Sequence, residues 1–325
     1  MKTPIIRTPR HFIPLALLFL LIVCILYSIY QFMLLPSSTR CGVTNRAVSF
    51  EYLTKVAKSC ERTANRTFVL IGVVSSADNY ESRAAIRETW GGPALKMGFV
   101  VVFLLGATPD REVQRKVLAE HDTHGDILQG DFLDTYRNLT YKTVMLICWA
   151  REKCSETDFV LKIDDDMLLS VWDLAVVVNG LVGIKRSIWG SLHTDAGPYR
   201  NNDSKWYVSK EEYKPDTYPN FVSGTGYLIS GDAVAALEEA IQEVPFFPFE
   251  DVYMTGIVAE RAQVNRSDLD GFYSVHKLYN QPCSTPRVLT SHWWGPAELR
   301  SKWRSVVGRL NFGLCLGIKQ EQMVS

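Results

Sequence analysis

Strands alternating with helices predict an α/β domain with a mixed, largely parallel central sheet. Three observations carry this: compact apolar runs rich in β-branched residues, charged stretches of helical spacing between them, and an acidic triplet where one apolar run stops. The first run, Thr67-Phe-Val-Leu-Ile-Gly-Val-Val-Ser75, has the continuous hydrophobicity of a strand buried on both faces. A helix is expected from about Ser82 to Trp90, ended by Gly91-Gly92-Pro93. Phe99-Val-Val-Val-Phe-Leu-Leu-Gly106 predicts a second strand, followed by a helix over about 110–121. Ile127 and Leu128 indicate a short third strand, 138–153 a long amphipathic helix, and Phe159-Val-Leu-Lys-Ile163 a further strand running into Asp164-Asp165-Asp166. The second half is aromatic and turn-rich, with one clear helix near 231–242, and is expected to form a substrate cleft on the same domain.

The N-terminus predicts a membrane anchor. Phe12 to Leu35 is free of charged side chains and at helical rise spans ~36 Å, against ~30 Å of hydrocarbon. A cleaved signal peptide is the alternative, but its apolar region is usually shorter and ends in small residues, whereas Tyr27, Tyr30, Gln31, Phe32 and Met33 stand here. Lys2, Arg7 and Arg10 precede the run, which orients the short tail to the cytoplasm. The expected organisation is a cytoplasmic tail (1–11), a signal anchor (12–35), a stem (36–64, with weak helical spacing around Phe50 to Val56) and a lumenal domain (65–325). Four sequons, at Asn65, Asn138, Asn202 and Asn265, all follow the anchor. Cys24 lies inside it, leaving six cysteines for up to three disulfides, or for buried thiols. Lys+Arg and Asp+Glu both number 35, so no overall charge points to nucleic acid.

The acidic triplet is the strongest local signal. Ligands of open α/β sheets bind beyond the carboxyl ends of the strands, where Asp164, Asp165 and Asp166 fall. Adjacent carboxylates repel unless a cation or donors neutralise them, and hard divalent ions favour carboxylate oxygen. An exposed acidic turn or helix cap is the bland alternative. No glycine-rich phosphate loop is present, so a diphosphate would need cations. Arg83 and Arg87, spaced i, i+4 on one helical face, suit phosphate or a solvated surface pair equally. Glu250-Asp251 follows an apolar, proline-containing stretch that would desolvate a carboxyl group, or else caps a helix. Gly224 and Gly226 flank Thr225 where backbone must approach something closely, a pocket wall or a tight strand bend. Trp206, Tyr207 and Tyr213 read as sugar-stacking groups or as packing.

Six segments then occur in order: Arg83-Ala-Ala-Ile-Arg-Glu-Thr-Trp-Gly91, Gly125-Asp-Ile-Leu-Gln129, Asp131-Phe-Leu-Asp-Thr-Tyr-Arg-Asn-Leu-Thr-Tyr-Lys-Thr143, Lys162-Ile-Asp-Asp-Asp166, Tyr218-Pro-Asn-Phe-Val-Ser-Gly-Thr-Gly-Tyr227 and Glu250-Asp-Val-Tyr253. The series resembles the β1,3-galactosyltransferase family, which includes β1,3-N-acetylglucosaminyltransferases, over roughly 67–303. The resemblance implies a GT-A type nucleotide-sugar-binding fold, an inverting mechanism, Mn2+ as cofactor and a UDP-sugar donor, with UDP-galactose ahead of UDP-N-acetylglucosamine or UDP-N-acetylgalactosamine. It implies that Asp164 and Asp165 contact the nucleotide, that Asp166 binds the metal together with Asp164, and that Arg83 and Arg87 hold UDP or support its pocket. Asp251 is the implied general base, with Glu250 a supporting or acceptor-orienting group, and Gly224, Thr225 and Gly226 line the donor-sugar pocket. His292 resembles the family's late histidine and would complete the metal site, although Trp293, Trp294 and Gly295 depart from the commoner form. A Golgi type II membrane enzyme acting on a glycan acceptor of glycoprotein or glycolipid is the implied whole, with homo- and hetero-oligomers both compatible. A non-catalytic lumenal sugar-binding partner would explain fold and anchor but not the joint presence of Asp164, Asp166 and Asp251.

Overall fold

The computed structural model describes residues 67–276 and 288–310, together with Val23, 49–54, Val56 and Cys60. Apart from Val23, the expected anchor lies outside the described residues. Among the described residues no helix is long and apolar enough to cross a membrane.

The apolar runs become β1 (Val69–Val74), β2 (Val100–Ala107), β3 (Ile127–Leu133) and β4 (Phe159–Asp164), all mutually parallel. Alternate side chains feed two cores. Leu70, Val74, Val102 and Leu104 face one, and Val69, Ile71, Val73, Val101 and Phe103 the other. Helix α1 (Tyr80–Ile86) leads through a wide turn, Arg87–Gly91, into α2 (Gly92–Lys96). Gly91-Gly92-Pro93 therefore does not end the helical segment. The break falls at Thr89 (φ −110°, ψ −114°), and Pro93 occupies the first turn of the next helix, where its missing N–H costs no bond. Helix α3 (Arg111–His124) is capped by Asp110, which accepts from the amides of Glu112 and Val113. Helix α4 (Leu139–Lys153) packs its Val144–Ala150 stretch into the first core. Gly72 permits this approach, since a Cβ there would sit 2.5 Å from Leu146 Cδ2.

The second half completes the sheet rather than merely covering it. After β5 (Leu168–Leu169) and α5 (Val171–Leu181) come β6 (Ser187–His193), β7 (Phe221–Ser230), α6 (Ala233–Ile241), a wide helical segment Val252–Val258 running into α7 (Ala259–Arg261), and β8 (Asn265–Asp268). The strand order is β3-β2-β1-β4-β7-β6-β8. Only β7 is reversed, being antiparallel to β4 and β6, while β8 runs parallel to β6. Strand β9 (Thr290–Ser291) pairs with β5 outside this sheet, and α8 (Pro296–Leu310) closes the second core through Leu299 and Trp303.

In the stretch expected to be stem, Tyr52 bridges Gly130 antiparallel, the Leu53 amide donates to the Gln129 carbonyl, and Phe50 is buried in the first core. Cys60 and Cys154 form a disulfide across 94 residues of sequence, and Cys148 is also disulfide-bonded.

Candidate active site

The site follows from the one reversed strand. Ile163 near the end of β4 pairs with Gly226 in β7, so Ser223, Gly224 and Thr225 run on past the end of β4 and flank the acidic triplet. Two residues before Asp164, on the same strand face, Lys162 places its buried ammonium 2.6 Å from Asp164 Oδ1 and 3.5 Å from Glu250 Oε2, and donates to the Gly224 carbonyl. Burial opposes its charge, but Asp164 and Glu250 hold its pKa above the usual lysine value. Burial also pushes the Asp164 carboxyl up to about 6 despite Lys162, with the Asp166 and Glu250 charges adding to the rise.

The three aspartates diverge. Asp165 turns to the β1–α1 loop, accepting from Ser75 Oγ at 2.6 Å and Asn79 Nδ2 at 3.0 Å; burial raises its pKa against those bonds. Asp166 Oδ2 lies 3.1 Å from His292 Nε2, and His292 Nδ1 is 3.1 Å from the Ser274 carbonyl. That carbonyl assigns a proton to Nδ1; loss of the Nε2 proton shared with Asp166 would then leave Nε2 as the nitrogen able to ligate a cation. Burial lowers the His292 pKa, but Asp166 outweighs it and the net shift is upward. Ligand atoms of Asp164, Asp166 and His292 all lie within 4.8 Å of one another, the one such group among the described residues. Two carboxylates and an imidazole fit a divalent transition metal such as manganese.

Across Gly224 stand the other two carboxylates. Asp251 Oδ1 accepts from the Val252 amide at 2.9 Å and Oδ2 from the Gly224 amide at 3.2 Å. Burial, then the Glu250 charge, raises its pKa. Glu250 is buried and fully engaged: Oε1 accepts from Tyr227 Oη at 2.5 Å and Thr143 Oγ1 at 2.8 Å, while Oε2 faces Lys162. Its geometry is that of a strut, whereas the hydrogen bonds of Asp251 come from two backbone amides. The two predicted glycines differ. A Cβ on Gly224 would stand 3.2 Å from Asp251 Cβ and 3.3 Å from Glu250 Oε2, whereas on Gly226 it would meet nothing closer than 3.6 Å. Gly224→Ala is therefore expected to displace Asp251 and lower kcat at least about tenfold with little change in melting temperature, measured by steady-state kinetics beside thermal unfolding. Thr225 is half-buried beside it, its hydroxyl 3.4 Å from that of Ser223.

Arg83 and Arg87 are held by carboxylates on and just beyond α3. Arg83 is wholly buried: Nε and Nη2 grip Glu120 at 2.9 and 2.7 Å, and the remaining donors reach Ser75 Oγ and the carbonyls of Ser76 and Ala77. It braces the same Ser75 that holds Asp165. Arg87 is bidentate to Asp126 at 2.9 and 2.8 Å; its Nη1 lies 2.8 Å from Glu120 Oε1 without an aligned hydrogen bond. With its donors so engaged, Arg83 supports the pocket wall. Arg83→Met would leave Arg87, 2.8 Å away, as the one cation facing the buried Glu120, and is expected to destabilise the fold by about 1–3 kcal/mol through the lost charged hydrogen bonds, as read by chemical unfolding.

Lys162, Thr143, Tyr227 and the buried pair Lys142–Asp134 (2.6 Å) were not singled out from the sequence. Lys162 carried a signal nonetheless, since a lysine in an otherwise apolar strand needs a buried partner.

The galactosyltransferase family model matches residues 81–270, more than half of the chain and the span from Arg83 to Asp251. Lactosylceramide 1,3-N-acetyl-beta-D-glucosaminyltransferase A of Danio rerio is 33% identical over 281 residues, covering 83% of this chain and 73% of that one. Beta-1,3-galactosyltransferase 5 of Homo sapiens is 34% identical over 296 residues, covering 90% and 93%. Among solved structures, the galactosyltransferase LgtC with donor and acceptor sugar analogues covers 79% of this chain at 11% identity and a TM-score of 0.35, too loose a likeness to argue from. On the family match and the extent of these relatives, the chain belongs to the galactosyltransferase family.

Proposed function

We propose that this chain is an inverting, manganese-dependent β1,3-galactosyltransferase of GT-A type that moves galactose from UDP-galactose to a hydroxyl of a glycan acceptor. The observation that carries the reading is the pairing, across Gly224 and Lys162, of a three-ligand cluster with a carboxylate free to act as base. Asp164, Asp166 and His292 would hold the cation, which when bound offsets charge developing on the leaving diphosphate. Asp251 takes the proton of the acceptor hydroxyl as that oxygen bonds to the anomeric carbon and the bond to the diphosphate oxygen breaks; one displacement turns an α-linked donor into a β-linked product. Glu250, held by Tyr227, Thr143 and Lys162, fixes the turn that aims Asp251. In this reading 12–35 anchors the enzyme in the Golgi membrane and the domain is lumenal.

Because the relatives' names divide between two sugars, N-acetylglucosamine is the second donor to test. Turnover of UDP-galactose, UDP-N-acetylglucosamine and UDP-N-acetylgalactosamine over an acceptor panel, with proton NMR of the product, decides between them. Galactose in β1,3 linkage is the expected product; an α-linked product would remove the single-displacement mechanism.

A further inference from the structure

Three exposed aromatic side chains stand together at the edge of the cleft, and the catalytic account uses none of them. Tyr136 is 48% exposed, Trp206 43% and Tyr199 56%. Exposed rings scattered singly need no explanation, but contiguous and oriented ones do. Here the orientation is fixed. Trp206 Nε1 donates to Tyr136 Oη at 3.0 Å, and its backbone amide donates to Ser204 Oγ at 3.1 Å. The Trp206 and Tyr199 rings lie 5.4 Å apart, tilted by 37°, and Lys205 Nζ sits 4.5 Å from the Trp206 ring centroid and 5.7 Å from that of Tyr136.

The wall adjoins the chemistry. Tyr136 follows β3 at the sheet edge where β4 delivers Asp164. Its neighbour Arg137 lies over the Phe249 ring at 5.7 Å, immediately before Glu250 and Asp251, and pairs with Glu212 at 2.5 Å, tying this turn to the 199–218 loop. Burial raises the Tyr136 phenol pKa, the Trp206 hydrogen bond lowers it, and the charges of Asp251 and Asp164 raise it again, as nearness to both carboxylates requires. Tyr213 is spent on packing, tilted against the rings of Tyr218 and Phe247, and Tyr207 pairs with Tyr199 through the backbone.

A pyranose presents an apolar face of C–H bonds and a rim of hydroxyls. An aromatic wall with a phenol and an ammonium at its margin matches that shape, with the ring under the face and the polar tips at the rim. We propose that Tyr136, Trp206 and Tyr199 form an acceptor subsite that stacks the sugar next to the one being glycosylated, so that the enzyme reads at least a disaccharide. The proposal rests on the transferase reading of the same site. The wall runs outward from Asp251 through Tyr136 to Trp206 and Tyr199, so the sugar offering its hydroxyl lies near Tyr136 and its neighbour reaches Trp206.

The test separates binding from turnover. Binding of methyl glycosides of N-acetyllactosamine and of N-acetylglucosaminyl-β1,3-galactose to the full-length chain in detergent, with UDP and manganese present, is followed by saturation-transfer NMR beside the methyl glycosides of their terminal monosaccharides. For wild type, at least one disaccharide is expected to bind more tightly than its terminal monosaccharide. Trp206→Ala should weaken that binding about tenfold, raise its KM by a similar factor, and leave monosaccharide binding, the donor KM and manganese affinity unchanged; Trp206→Phe should recover part of the loss. Unchanged disaccharide binding in Trp206→Ala would overturn the subsite, as would a wild-type chain that binds neither disaccharide. Glycan binding that depends on Trp206 without transfer of any sugar would uphold the subsite and count against the transferase reading alone.

Discussion

Asp251→Asn is expected to lower transfer by about a hundred- to ten-thousandfold, the range that a positioned general base supplies, while UDP and manganese still bind. The substitution keeps the shape of the side chain and removes its capacity to accept a proton. One contact turns unfavourable, because Gly224 N–H or Val252 N–H then faces an amide NH2, but neither group touches the metal cluster. The pH profile carries the same information. With Asp251 as the proposed base, transfer needs its ionised form, and burial with the neighbouring Glu250 raises its pKa. Activity of the wild type should therefore fall as pH drops through a value above that of an ordinary aspartate. With manganese held saturating at every pH, the residual activity of the variant should lack that limb.

The second large effect concerns the cation. Asp166→Ala removes one of the three proposed ligands and the partner of His292, and is expected to weaken manganese binding by more than the roughly ten- to hundredfold that loss of an outer partner costs and to abolish metal-dependent UDP binding, both measurable by calorimetry. Protons compete for the same atoms. Asp164 is pushed up to about 6 and His292 is raised above its ordinary 6.5, so manganese affinity should drop as pH falls through these values, with protons released on binding. Stability follows with a definite sign. Both groups have folded pKa values above their unfolded ones, so the metal-free fold binds more protons than the unfolded chain; their contribution to stability is greatest at low pH and is lost as pH rises through the raised values. Manganese takes the place of those protons, and its addition should raise the melting temperature more at pH 8 than at pH 5.

Much of the parallel half was legible because its strands are apolar on both faces and its helices carry clear spacing, with a side-chain cap at α3. β6 and β8 were not. Gly190 interrupts Ser187–His193, and Asn265–Asp268 has no apolar residue at all, being recruited by pairing with β6 rather than by burial. The catalytic edge was visible where charge met apolar sequence, at Asp164 to Asp166 and at Glu250-Asp251. The assignment of duties within it depends on approach across sequence distance. Lys162 reaches Glu250, Tyr227 reaches Glu250, and Asp251 rests on Gly224 only because β7 runs backward beside β4. Likewise the helical spacing of Arg83 and Arg87 gave one face correctly, but their partners Glu120 and Asp126 lie on and just beyond α3, with no local signal of the contact.

The most direct test is UDP release from UDP-galactose by the purified chain over a glycan acceptor panel, with manganese and then with excess chelator. The account predicts acceptor-dependent release that chelation abolishes and manganese restores. Release at an unchanged rate in chelator would contradict it, and so would tight UDP binding with no turnover on any acceptor.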